Sequence, residues 1–100
     1  MSANAARGEA SLKVGGAPVL LRPSFAALVA AEAELGPLFA LVERAADGRL
    51  TLSEMAGLFQ HCAAGEVSRE QIGAAIAEAG LAQVTPVLKL LLTQILQGHV

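Results

Sequence analysis

The chain has 100 residues, a net charge of −2 and a single cysteine. That length supports one domain with one core, and one cysteine excludes an internal disulfide. Hydrophobic residues make up 54% and charged residues 16%, with three Phe and neither Trp nor Tyr. The apolar content is therefore Ala and Leu, which favours helix over strand and leaves no stacking platform or basic patch for nucleic acid.

No apolar run reaches the roughly 18 residues of a membrane span. The longest, Val87 to Leu96, is interrupted by Lys89, Thr93 and Gln94. Met1 to Arg7 is Ala-rich and lacks the apolar centre of a signal peptide, so residues 1–7 read as a disordered tail ahead of one domain over 8–98. Lone Cys62 fits a reducing compartment, and the expectation is a cytoplasmic protein in a bacterial host.

The first ordered segment reads as a β-hairpin. Ala10, Leu12 and Val14 alternate with Ser11 and Lys13, the period of a half-buried strand. Gly15-Gly16 suits a tight turn with positive φ, and Val19 to Arg22 returns. Pro18 cannot donate to a ladder, which predicts an open outer edge near the start of that second strand.

Helix signals fill the rest. Ser24 is a candidate N-cap, and Phe25, Leu28, Val29 and Leu35 recur on one apolar face, with Glu32 embedded in it either as a partnered buried carboxylate or at the helix edge. Gly36 stops this helix and Pro37 can open the next, which carries Leu38, Phe39, Leu41, Val42 and Ala45 before Asp47-Gly48 breaks it. Thr51-Leu52-Ser53-Glu54 fits a capping box at the head of a stripe of Leu52, Met55, Ala56, Phe59 and Cys62. Ser68-Arg69-Glu70-Gln71 is a second, ahead of Ile72, Ala75, Ile76 and Ala79. The last helix starts at Leu81 with a kink or at Thr85-Pro86. On a wheel, Leu81, Val84, Leu88, Leu91 and Ile95 are central, with Leu92 and Leu96 on one edge and Val87 on the other. Leu90 stands among polar neighbours, and Lys89, Thr93 and Gln97 form a polar stripe. Burying five or six of these apolar side chains contributes on the order of 10 kcal/mol. The fold class expected is mainly α (α+β): an N-terminal β-hairpin followed by a compact bundle of four to five short helices.

Chemistry is sparse. Asp47 to Glu54 resembles the second half of an EF-hand loop, with Gly at position six, an apolar residue at eight and Glu at twelve. The first half fails, because Glu43 and Ala45 would fill positions one and three and both read as helix. A helix cap accounts for the same residues, so no metal site is expected. His61 and Cys62 are adjacent, but helical neighbours point about 100° apart and do not meet. Nothing pairs Glu32, Glu34, Glu43 or Glu54 as catalytic carboxylates, and Gly15-Gly16 lacks the helix a phosphate loop needs. The expectation is a non-enzymatic protein without cofactor. The apolar excess at Val87, Leu90, Leu92 and Leu96 has two readings: packing beneath the hairpin, or a surface for a partner helix.

The order of features carries a resemblance. "RGEASLKVGGAPVLLRPSFAALVAAEAELG" leads through a short helix to "ADGRLTLSEMAGLF", a second capped helix and an apolar C-terminal helix. From about Arg7 to Gly98 this resembles the gene transfer agent family of small phage-type tail proteins, commonly classed as tail assembly chaperones. The resemblance implies that the chain coats the tape-measure protein, keeps it soluble and recruits tail-tube subunits that then displace it. The family has also been labelled a tail-tube protein, so a structural tail-tube or tail-terminator subunit is the alternative. A degenerate EF-hand-like calcium-binding protein is a second. The implied partners are the tape-measure and tail-tube proteins, with weak self-association and neither nucleic acid nor membrane.

Overall fold

The computed structural model describes residues 10–98. The expected 1–7 tail, the first two residues of the expected domain and His99 lie outside them. Two strands, β1 (Ala10–Val14) and β2 (Ala17–Leu21), precede five helices: α1 (Phe25–Leu35), α2 (Leu38–Ala46), α3 (Leu52–Cys62), α4 (Arg69–Ala79) and α5 (Leu81–Gln97). A hairpin and a set of short helices is the expected mainly-α arrangement, with five helices.

The hairpin closes through Gly15 at φ +59° and Gly16 at φ +85°. Both values lie where a side chain is strained, and together they give the two-residue turn whose twist matches the strands. Val14 then pairs with Ala17 and Lys13 with Pro18. The returning strand therefore starts at Ala17, earlier than the expected Val19. In an antiparallel ladder closed by a two-residue turn, the Lys13–Pro18 pair is a non-hydrogen-bonded one, so proline costs no bond there. Further along, the outer side of β2 meets the chain leaving α3: Ala64 N–H donates to Leu20 O (2.8 Å), and Arg22 N–H to Cys62 O (2.7 Å).

Helix starts follow local chemistry. Ser24 Oγ accepts from Ala27 N–H (3.2 Å). Both capping boxes form: Thr51 with Glu54 heads α3, and Ser68 with Gln71 heads α4. Each cap satisfies backbone donors that the helix leaves free and contributes about 1 kcal/mol. α5 runs unbroken from Leu81 through Pro86 to Gln97. Pro86 is the sixth residue of α5, past its first turn, and leaves the Ala82 carbonyl without a helical N–H partner.

The core lies where the hairpin, α3, α4 and α5 meet. Phe59, Leu21, Leu58, Ile72, Ile76, Leu91, Val84 and Cys62 are fully buried there. α3 is central, flanked by α1 and α4, so Ala56 to Phe59 are all buried in place of the expected one-sided stripe, and Leu52 stays exposed at its head.

Two further expectations are corrected. On α1, Phe25 and Val29 point outward and the fully buried residue is Ala31. α1 lies close against α3, where Gly57 faces Leu35; a Cβ at Gly57 would stand 3.1 Å from Leu35 Cδ2. Leu35 fills the space that Gly57 leaves open, while Phe25 and Val29 stay outside this contact. On α5, Leu81 is exposed in the first turn, and the buried row runs Val84, Leu88, Leu91 and Gln94. Lys89, Thr93 and Gln97 are exposed, as the polar stripe requires.

Candidate functional site

The candidate carboxylates and the thiol are engaged in structural contacts. Glu43 and Ala45 are in α2, so the front of an EF-hand loop is helix. The Glu54 carboxylate accepts from Thr51 N–H (3.0 Å) and pairs with Arg44. The Thr51 backbone bond, then Arg44, holds its pKa below the ordinary carboxylate value. The Glu32 side chain is exposed and accepts from Leu38 N–H (3.1 Å), capping α2 from the preceding helix. Cys62 is buried, and desolvation pushes its thiol up to about pKa 11, so it holds little thiolate at neutral pH.

A polar cluster joins three helices and had no signature in the sequence. Glu34 on α1 receives two bonds from Arg69 of α4, each 2.8 Å. His61 Nε2 of α3 lies 2.6 Å from Glu34 Oε1. Arg69, then His61, holds the Glu34 carboxyl down to about pKa 2. The ionised carboxylate can only accept, which makes Nε2 the protonated nitrogen of His61. Arg69 also reaches Gln60 Oε1 (3.0 Å). Partners 27 and 35 residues apart leave no local spacing to read.

The apolar surface lies elsewhere. Of the C-terminal set, Val87, Leu90 and Leu92 are half-buried against the core, whereas Leu96 is 54% exposed. Leu96 joins Ile95 of α5, Leu28 of α1 and Leu38, Phe39 and Val42 of α2 around a cleft of about 190 Å³. Leu28 and Ile95 also line a second cleft of about 520 Å³, which continues to Leu21, Arg22, Pro23 and Ser24 and to Gln94 and Gly98. The two form one groove between α1, α2 and the C-terminal end of α5. Phe39 at its rim is 79% exposed, and Phe25 on α1 is 86% exposed. Exposed phenylalanines beside an apolar groove mark a surface for association. Sequence reasoning found Leu96 but missed the α1 and α2 wall, because Leu28, Phe39 and Val42 carry the same spacing that core residues do.

No single helix among the described residues is long and apolar enough to cross a membrane. α1 and α2 together would be by length and composition, but they are bent 75° apart.

Residues 7–98 match the family model described as "Phage tail tube protein, GTA-gp10". The chain belongs to this family. GTA-gp10 proteins are structural tail proteins, and the role of this member lies in a phage or gene transfer agent tail. The match spans both strands and all five helices, so the groove belongs to the family domain and not to an appendage. No curated protein and no solved structure matches the chain.

Proposed function

We propose that the chain is a tail assembly chaperone: a non-enzymatic protein that holds the tape-measure protein in the host cytoplasm until tail-tube subunits replace it. The observation that supports this reading is the open apolar groove between α1, α2 and α5, with Phe39 and Leu96 at its rim. Coating a long apolar partner and then releasing it calls for many weak contacts along its length. A shallow groove lined by Leu, Ile and Val suits that better than a deep pocket with one anchor. Within the C-terminal set, Leu96 is assigned to the partner directly, and Val87, Leu90 and Leu92 to holding α5 against the core. The working unit is taken as residues 8–98, with 1–7 as a tail.

Co-expression with the tape-measure gene product tests this. The expected result is soluble tape measure that co-purifies with the chain. A Phe39→Ser, Leu96→Glu double variant should lose the capture with its helicity by circular dichroism unchanged. Tape measure that stays insoluble and unbound beside the wild-type chain overturns the reading.

The family description favours a second reading, a tail-tube subunit. Tube subunits polymerise through sheets, whereas the described residues offer one two-stranded hairpin. Rings or tubes of the purified chain in negative-stain images would establish the second reading in place of the first.

A further inference from the structure

We infer that the groove takes one amphipathic helix of its partner, and that Arg22 sets the direction of that helix by pairing with a carboxylate at one end. The inference rests on the chaperone reading for the identity of the partner, but not for the geometry of the site.

The occupant follows from the walls. An extended peptide must find partners for its own backbone N–H and C=O groups, which a sheet edge supplies. The smaller cleft is walled by the helices α1, α2 and α5, and the larger adds the end of β2 and the turn into α1, where Arg22 N–H donates to Cys62 O and Arg22 O accepts from Ser24 N–H. A strand laid between them would bury unsatisfied polar groups. A helix satisfies its own, and offers apolar side chains at i, i+3, i+4 and i+7 to Leu28, Val42 and Ile95.

The direction follows from charge. Arg22 is the one charged residue that lines either cleft among the described residues. It is exposed, and its guanidinium makes no ion pair or hydrogen bond with a described residue. Two helix ends face the same cleft: the N-terminus of α1 at Ser24 and the C-terminus of α5 at Gly98. Their partial charges are each about half a unit and of opposite sign, so they offset each other. Arg22 then carries the one full side-chain charge among the described residues at this end. The other end, at Phe39, Val42 and Leu96, carries none. A partner helix with an acidic residue at one end has one favourable direction in such a groove, and a guanidinium can hold that carboxylate through two bonds.

The test uses fluorescence anisotropy with peptides of about 20 residues, long enough for five helical turns, that tile the tape-measure protein. The full chain is compared with Arg22→Glu and Phe39→Ser, both at exposed positions, with folding checked by circular dichroism. The peptides retained should carry an apolar stripe at helical spacing with an acidic residue at one end. Arg22→Glu should weaken them about tenfold, and replacing that acid by Lys should weaken binding to the wild-type chain yet restore it to Arg22→Glu. The charge exchange stands as a test by itself if Phe39→Ser does not fold. Peptides that bind with the same affinity to Arg22→Glu overturn the inference while the chaperone reading stands. The same charge exchange seen with tail-tube peptides, and with none from the tape measure, supports the groove assignment and overturns the chaperone reading. A dimer of the chain in sedimentation that Phe39→Ser dissociates makes a second copy the occupant and overturns the inference. Peptides that all fail to bind the wild-type chain overturn it too.

Discussion

Phe59 and Phe39 stand on consecutive helices, each in an apolar sequence context, and the fold treats them in opposite ways. Phe59 lies on α3, which packs between α1 and α4, and has no solvent exposure. Phe39 lies on α2, whose main neighbour is α1, and is 79% exposed. Full burial of such a ring stabilises the fold by about 1.5–3 kcal/mol, whereas an exposed ring leaves that free energy available for association. The polar groups divide the same way. Around α3 and α4 most are paired, through two capping boxes and the Glu34–His61–Arg69 cluster, in which the buried Arg69 Nε lacks a partner. At the groove, the Arg22 guanidinium has no partner among the described residues. One region is largely complete in itself, and the other has the composition of a core with one side left open.

The comparison breaks most sharply at the two rings. Phe59→Ala should cost about 3–5 kcal/mol, a large share of the stability of a domain of this size, whereas Phe39→Ser should stay within about 0.5 kcal/mol of wild type. Urea unfolding measures both, and equal losses would show that α2 is core. A smaller contrast lies between two helical glycines. Gly73 has nothing within 4 Å of an added Cβ, so Gly73→Ala should raise stability by about 0.5–1 kcal/mol. At Gly57 the same methyl meets Leu35 at 3.1 Å and Arg69 Nη1 at 3.4 Å, so Gly57→Ala should fall at or below wild type. A gain at Gly57 equal to that at Gly73 would mean that α1 is not held tightly on α3.

The smallest effect is a pH dependence. The folded pKa of Glu34 is depressed from 4.5 to about 2. Its contribution is therefore fully present above about 4.5 and is lost as pH falls through about 2. Glu34→Gln should be less stable than wild type at neutral pH, with the gap closing across that window in urea midpoints. A gap unchanged in acid would assign the loss to packing.

Helix starts were the most legible part of the fold. Thr51–Glu54 and Ser68–Gln71 could be read directly, because a cap is a contact between residues three apart. Gly15-Gly16 was legible for the same reason. The face of α1 was not. Phe25, Leu28, Val29 and Leu35 have the spacing of a buried stripe, but Leu35 fills the space at Gly57, Ala31 is buried, and Phe25 and Val29 stay outside. Of the candidate site, Leu96 was legible as an apolar residue at the edge of its stripe. Its companions in the groove were not, since they come from α1 and α2, more than 50 residues away in the sequence.

Local sequence by itself determined where the chain turns and where each helix begins, because those choices rest on contacts of a few residues and on backbone angles that glycine or a capping side chain favours. It also marked an apolar excess at Val87, Leu90, Leu92 and Leu96, without deciding whether a small core encloses it. Only the tertiary structure decided which of them remain outside. Helical spacing marks an apolar face without naming what covers it, and that depends on what the topology places against each helix: α1 and α4 against α3, and chiefly α1 against α2.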